Sequence, residues 1–174
     1  MAAEGVDLAG EARLIDAMVA PGSRILDAGC GPGRVGAALA ERGHRVVGVD
    51  SDPELIDAAK HDHPGPVWLV ADLAELDLTA LGEPEPFDAA LMAGNVLTFV
   101  APGTEHAVLA RVAQHVRADG LVVVGFGTDR GYALADFDAG VTPACLRLEH
   151  RFATWDLRPW TEDADFAVTV LRRT

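Results

Sequence analysis

The chain has 174 residues, of which 49% are apolar, and a formal net charge of −13 at pH 7. This length and composition suit one compact domain, so we expect residues 1–174 to form a single unit. The acidic balance opposes binding to nucleic acid or to an anionic membrane surface, and neither is expected as a partner. We expect neither a secretory signal nor a membrane-spanning segment, and Cys30 and Cys145 are expected to be free thiols. These features predict a cytoplasmic protein.

Residues 8–20 carry apolar side chains at the spacing of one helical face. Pro21-Gly22 ends this predicted helix. The spacing does not separate a helix that only packs from one that also covers a ligand site. Both interpretations therefore remain open for residues 1–22.

The next segment has the pattern of a strand, a tight turn and a helix. An apolar run containing Asp27 is followed by glycines at 29, 31 and 33, and then by an alanine-rich helical pattern over residues 35–42. Glycines let a ligand approach the backbone and permit positive φ. The first N–H groups of the helix then face the ligand. The segment predicts a binding site for a nucleotide-like ligand.

Further strands and helices alternate along the middle of the chain. Ser51 or Asp52 can cap the third predicted helix, and Pro53 suits its first turn. Buried strands joined by helices indicate a doubly wound, mostly parallel α/β sheet. The predicted elements are strands at 45–50, 67–71, 87–92 and 121–126, helices at 53–60 and at 104–118 closed by Asp119-Gly120, and a loop or short helical turn over 73–86.

The last third of the chain changes pattern. Residues 146–152 and 166–170 alternate between apolar and polar side chains. Such alternation is typical of antiparallel strands with one buried face. An antiparallel hairpin within residues 144–174 is therefore expected at one edge of the sheet.

Polar side chains follow several of the predicted strands. In a doubly wound sheet the ligand lies beyond the carboxyl ends of the strands, where the glycine turn, Asp50, Asp72 and Asn95 converge. Asp50 follows the glycines at the distance at which an acidic side chain accepts the hydroxyls of a ribose. By itself Asp50 would be assigned as a helix cap, but together with the glycine turn it indicates ribose binding.

Two classes of cofactor fit the glycine turn. Residues 31–36 match G-x-G-x-x-G, the dinucleotide fingerprint, although that pattern alone is weak. A carboxylate at Asp27 would oppose a diphosphate at the helix N-terminus. With Asp50 and Asp72 it indicates a ligand that carries both hydroxyls and positive charge. S-adenosylmethionine has an adenosine, an ammonium and a sulfonium.

The segment 26–33 closely resembles the first motif of class I S-adenosylmethionine-dependent methyltransferases. Residues 47–50 and 70–73 resemble the ribose and adenine steps of that family, and 87–95 resembles its fourth-strand motif. The resemblance implies a seven-stranded sheet with an antiparallel edge strand and S-adenosylmethionine as cofactor. The cofactor-binding residues that it implies are Asp27, Gly29, Cys30, Gly31, Gly33, Asp50, Ser51, Asp72, Leu73 and Asn95.

The sequence indicates the class of the methyl acceptor less specifically than it indicates the cofactor. Residues 93–96 read Ala-Gly-Asn-Val rather than the Asn/Asp-Pro-Pro-Tyr/Phe of the amino-methylating enzymes that act on DNA and protein. The acidic charge and the short insert before the hairpin favour methyl transfer to a small molecule, by a monomer or homodimer. A cofactor-binding protein without turnover and, with less support, an NAD(P)-dependent reductase are the alternatives.

No catalytic residue can be assigned from the sequence, since methyl transfer requires mainly alignment and exclusion of water. His106 is expected at the surface, His150 in the core, and Tyr132 either in packing or at the acceptor. No metal site is expected, because the His61-Asp62-His63 segment lacks a set of partner ligands. Two tryptophans near the hairpin could line an acceptor pocket or brace the hairpin, namely Trp155 and Trp160.

Overall fold

The computed structural model describes residues 9–174. Helices and strands alternate through most of this range, as the sequence predicts. Within it, no helix combines the length and apolar character needed to cross a bilayer. The elements in chain order are α1 (Gly10–Met18), β1 (Arg24–Ala28), α2 (Arg34–Glu41), β2 (Arg45–Asp50), α3 (Pro53–Asp62), β3 (Val67–Val70), a 3₁₀ turn (Leu73–Glu75), β4 (Phe87–Met92), α4 (Val96–Phe99), α5 (Glu105–Gln114), β5 (Val116–Gly127), α6 (Leu134–Val141), β6 (Leu146–Phe152) and β7 (Phe166–Arg173).

The strands form one seven-stranded sheet in the order β3-β2-β1-β4-β5-β7-β6. The first five strands in this order run parallel, whereas β7 is antiparallel to β5 and β6 is antiparallel to β7. The predicted fold class and the antiparallel edge hairpin are confirmed. The strand order reverses between β1 and β4, which opens a crevice at their carboxyl ends.

The central strand β1 is buried on both faces of the sheet. Leu26 belongs to the core cluster that includes residues of α5 and α6, whereas Ile25 belongs to the cluster that includes α1 and α2. Alternate side chains of a strand point to opposite faces. The apolar run of β1 therefore stabilises both helical layers and fixes the position of the glycine turn that follows it.

The predicted N-terminal helix is present as α1, and its packing function is confirmed. Ala12 and Ile15 are fully buried in the cluster shared with β1 and α2. The N-terminal residue of the predicted range, Leu8, lies outside the described residues. Coverage of the ligand site by residues 1–22 remains a prediction.

The predicted helix over 104–118 is wrong at its C-terminal end. The helix α5 ends at Gln114, and β5 begins at Val116, which pairs with Phe87 of β4. Asp119-Gly120 does not close the helix, because both residues lie within β5, where the register shifts and Asp119 has φ of 64°. Residues 116–120 extend β5 beyond the predicted strand and form an irregularity in it. The helical spacing of Val108, Val112 and Val116 does not indicate this irregularity.

The single buried face predicted for both strands of the hairpin is wrong for β7, where residues 167–171 are all buried because β7 lies between β5 and β6. In β6 the predicted alternation does not hold along the whole strand. A register shift between Leu148 and His150 interrupts the ladder. His150 is exposed and stacks on Phe152 at a ring separation of 6.0 Å, so its predicted core position is wrong. The sequence analysis also omitted α6, whose Phe137 packs edge-on against Phe126.

Candidate active site

The glycine turn after β1 is held against β2 by backbone hydrogen bonds. The N–H groups of Gly29 and Cys30 both donate to the carbonyl of Val49, at 2.8 and 2.9 Å. Gly29 has φ of 79°, and an added Cβ would lie 2.6 Å from a methyl group of Val96. A side chain at Gly29 would therefore be strained and would displace the loop that follows β4. The glycine is required because these two loops approach each other closely.

Asp50, at the carboxyl end of β2, faces the glycine turn. Its Oδ2 accepts a hydrogen bond from the Gly31 N–H at 2.9 Å, and its Oδ1 accepts one from the Asp52 N–H at 3.0 Å. The capping of α3 is performed by Asp52, whose side chain accepts from Glu54 N. Each Asp50 oxygen keeps acceptor capacity for a further donor. The carboxylate is thus fixed in place and still able to receive ribose hydroxyls.

A cavity of about 460 Å³ opens beside Asp50. Its polar rim contains carboxylates at the ends of β2 and β3, and its apolar wall comes from the 3₁₀ turn and the segment after β4. Six predicted residues line it, which are Gly29, Gly31, Asp50, Ser51, Asp72 and Leu73. Residues that the sequence analysis missed include Leu55, Val96, Phe99, Val100 and Thr104. The apolar residues that follow Asn95 in the sequence could have indicated this wall.

A second cavity of about 270 Å³ lies on the other side of the glycine turn. It shares Gly29, Gly31 and Gly94 with the larger cavity, so the two spaces meet at the turn. Asp27 and Arg34 contribute an acid and a base to its lining. The paired cavities offer room for an elongated ligand that crosses the glycine turn.

The carboxylate of Asp27 is buried, with 2% of the residue exposed. Its Oδ2 finds no hydrogen-bond partner among residues 9–174. Burial raises its pKa to about 7, against the opposing effects of the Gly36 N–H and the Arg34 charge. Asp27 also lines the second cavity, and a buried carboxylate with an unpaired oxygen suits a ligand that carries an ammonium group. On this observation the site fits S-adenosylmethionine.

Arg34 is held by an acidic side chain that the sequence analysis did not connect to the site. Glu11 of α1 accepts hydrogen bonds from both terminal nitrogens of Arg34, at 2.9 and 3.3 Å. Glu11 is itself 9% exposed. The helix α1 therefore contributes to the second cavity by orienting the guanidinium at its rim.

Three of the predicted cofactor residues have structural functions that the sequence analysis did not assign. Gly33 caps α2 with φ of 91°, and an added Cβ would lie 2.9 Å from the Trp68 ring. The Asn95 side chain accepts from the Gly127 N–H at 2.6 Å and so joins the ends of β4 and β5. Cys30 is buried in a cluster with Trp68, although it also borders the second cavity. Neither Gly33 nor Asn95 belongs to the lining of these two cavities.

The other candidates lie apart from the two cavities. His106 is exposed, as predicted, and its Nε2 lies 2.7 Å from the carbonyl oxygen of Asp136. Tyr132 packs against Phe126 at 5.5 Å, and burial raises its pKa to about 12. His61 and its neighbours contribute to no group of three or more potential metal ligands within the described range.

The tryptophans of the 153–165 connection are both partly buried. Trp155 lies over Gly125 of β5, where an added Cβ would be 2.3 Å from its ring. The Arg151 guanidinium lies 5.6 Å from the Trp160 ring centroid. Trp160 thus braces the hairpin, whereas Trp155 lies on the sheet face that also carries Asp27.

Comparisons with known proteins identify the family of this chain. A family profile described as "Methyltransferase domain" matches residues 25–120. The structure of a TehB-like SAM-dependent methyltransferase from Corynebacterium glutamicum superposes with a TM-score of 0.91 and 43% identity, covering 98% of this chain and 90% of that one. The matched range includes the glycine turn and the ends of β2, β3 and β4.

Two curated relatives match shorter segments. A magnesium-protoporphyrin O-methyltransferase from Rhodobacter capsulatus is 41% identical over 86 residues, which are 47% of this chain and 36% of that protein. A trans-aconitate 2-methyltransferase from Azoarcus sp. is 35% identical over 103 residues, which are 58% of this chain and 37% of that protein. The matches thus span little more than a third of either relative. The chain belongs to the class I S-adenosylmethionine-dependent methyltransferases.

Proposed function

We propose that this protein transfers the methyl group of S-adenosylmethionine to a small-molecule acceptor, with the cofactor lying across the two cavities. The observation that carries the proposal is Asp27, which lines the cavity that joins the larger one at the glycine turn and whose buried Oδ2 has no partner among residues 9–174. A nucleotide without a cationic group would leave this carboxylate unsatisfied. S-adenosylmethionine supplies an ammonium at one end and an adenosine at the other.

The larger cavity suits the adenosine. Asp50 would accept the ribose hydroxyls, because its two oxygens are already oriented by the N–H groups of Gly31 and Asp52. Asp72 and Leu73 line the far side, where the acidic side chain and a backbone N–H can meet the adenine edge. The apolar wall near Val96 would cover the base.

The second cavity suits the amino acid end of the cofactor. Asp27 would bind the ammonium, and Arg34, oriented by Glu11, would face the carboxylate. An anion and a cation lining one cavity complement the zwitterion of an α-amino acid. When Asp27 is ionised, the two negative charges of Asp27 and Glu11 outnumber the single positive charge of Arg34, and the excess negative charge favours a cationic ligand.

Bound S-adenosylmethionine would supply a methyl carbon activated by the adjacent sulfonium. The protein aligns the acceptor and excludes water, and a proton acceptor is needed only when the nucleophile carries a proton. The loop between β4 and α4 is well placed to orient the reacting groups, because the Asn95 side chain ties it to β5. No general base is assigned.

A small acceptor is supported by charge and by relatives. The formal net charge of −13 opposes the phosphates of nucleic acid. The two curated relatives are named for magnesium-protoporphyrin and trans-aconitate, which are both small molecules. We extend that class of acceptor, though not either compound, to this protein.

Calorimetry with S-adenosylhomocysteine and with NADH tests the cofactor assignment. The proposal predicts saturable binding of S-adenosylhomocysteine and no comparable binding of NADH; the reverse result would contradict it. An acceptor screen that detects released S-adenosylhomocysteine then tests turnover. Release with tRNA or DNA, and with no small molecule in the screen, would overturn the proposed acceptor class.

A further inference from the structure

We propose that the acceptor is an anionic small molecule with a planar apolar body, and that Arg130 binds its anionic group beside Trp155. This inference rests on the proposed function and defines the acceptor more narrowly. It is carried by two side chains that lie over neighbouring glycines at the carboxyl end of β5. Both lie on the face of the sheet that carries the second cavity.

The relevant face of β5 is fixed by its alternation. Leu121 and Val123 belong to the core cluster that includes α1 and α2. Gly125 and Gly127 continue the same face, because side chains alternate along a strand. Asp27 shares this face, since its neighbour two residues earlier, Ile25, belongs to the same cluster. A ligand in the second cavity and the end of β5 are therefore on one side of the sheet.

Each of the two glycines is covered by a different kind of side chain. An added Cβ at Gly125 would lie 2.3 Å from the Trp155 ring. One at Gly127 would lie 3.1 Å from Nε of Arg130 and 3.2 Å from its Cδ. Residues two apart on a strand are about 7 Å from each other. The Trp155 ring and the Arg130 side chain thus lie over positions about 7 Å apart, a separation that a small planar acid can span.

Arg130 is available for a ligand. Most arginines of this acidic protein pair with a carboxylate, including those at 24, 34, 117, 151 and 172. Arg130 is exposed and forms no ion pair or hydrogen bond with any other residue in the described range. An exposed, unpaired guanidinium is suited to bidentate binding of a carboxylate.

The base of the Arg130 loop is held in place by contacts to the hairpin connection. The Thr128 N–H donates to the carbonyl of Asp165 at 3.0 Å, and the Thr128 hydroxyl donates to the carbonyl of Ala164 at 2.9 Å. The Gly127 N–H donates to Asn95 in the loop after β4. These bonds fix the end of β5 relative to the segment that borders the second cavity. The backbone from which Arg130 extends is therefore held next to the loop that follows β4.

The test uses protein loaded with S-adenosylhomocysteine and matched pairs of probes, namely benzoate with benzamide and trans-cinnamate with cinnamamide. We expect saturable binding of the carboxylates in calorimetry and binding at least about ten-fold weaker for the neutral amides, because the amides lack the charge. Arg130→Gln should remove this preference. The matched control is Arg111→Gln, which changes an exposed arginine on α5, across the sheet, and should leave it intact.

The outcomes separate this inference from the proposed function. Failure of wild-type protein to bind S-adenosylhomocysteine overturns both. Normal binding of S-adenosylhomocysteine without carboxylate binding, or with equal binding of acids and amides, overturns the acceptor assignment alone. Weaker S-adenosylhomocysteine binding by Arg130→Gln would instead place Arg130 at the cofactor and would also contradict the inference. Trp155→Phe should preserve the preference for acids while lowering affinity for both probes of a pair.

Discussion

Replacement of Asp27 by asparagine should increase the stability of the protein and weaken its binding of cofactor. The folded state holds Asp27 with a pKa raised from 3.8 to about 7, chiefly because the carboxylate is buried. An acid with a raised folded pKa favours folding in its protonated form. Its ionisation therefore destabilises the protein progressively as pH rises from about 4 to about 7, and the cost is constant above that range.

The size of this effect follows from the shift. One pKa unit corresponds to about 1.4 kcal/mol, so the full cost at high pH is on the order of 4 kcal/mol. Between about pH 5 and about pH 8, wild-type protein should lose about 2–3 kcal/mol of unfolding free energy through this group. Asp27→Asn should lack that loss. The difference in stability between variant and wild type should grow by the same amount over this interval.

Urea unfolding at several pH values, without cofactor, measures this difference. The control is Asp57→Asn, which changes an exposed aspartate on α3 and should leave the pH dependence unaltered. Calorimetry should show weaker binding of S-adenosylhomocysteine by Asp27→Asn, by about 1.5–3 kcal/mol, because a charge-assisted hydrogen bond to the ammonium is lost. Identical pH dependence in variant and wild type, or unchanged cofactor affinity, would refute the account of Asp27.

Three further predictions concern residues around the site. Asp50→Ala should weaken S-adenosylhomocysteine binding by about 1–3 kcal/mol in calorimetry, and unchanged affinity would remove Asp50 from the ribose site. Gly48→Ala should destabilise the protein by at least about 1–3 kcal/mol in urea unfolding, because its Cβ would lie 2.3 Å from the Trp68 ring; wild-type stability would contradict this packing. A thiol reagent should modify exposed Cys145 quickly and buried Cys30 only on unfolding, since burial raises the pKa of the Cys30 thiol. In folded Cys145→Ser protein only Cys30 remains, and a fast reaction of that protein with the reagent would contradict the assignment of Cys30 as buried.

Much of the fold could be predicted because local pattern and tertiary environment agree. The apolar run of β1 is buried on both faces of the sheet, as such runs are in parallel sheets. The end of α5 was not predictable in the same way. Val112 and Val116 stand at helical spacing, yet Val116 pairs with Phe87 in the sheet. Tertiary pairing overrides the helical pattern at that point.

Site residues that lie in one short segment could be predicted from the sequence. Contacts between residues far apart in the sequence could not. Asp27 and Asp50 follow from the positions of strands and the glycine turn. The bidentate contact of Arg34 with Glu11 joins residues 23 positions apart on different helices, and no local pattern marks it. The exposure of His150 arises from a register shift in β6 that the alternating sequence conceals.

The most direct test of the central claim is a crystal structure of the protein with bound S-adenosylhomocysteine. The account predicts that the adenosine occupies the larger cavity with its ribose hydroxyls on Asp50. It also predicts that the amino group lies within hydrogen-bonding distance of Asp27 Oδ2, the buried oxygen that has no partner among residues 9–174. Binding outside the two cavities, or an amino group directed away from Asp27, would contradict the account.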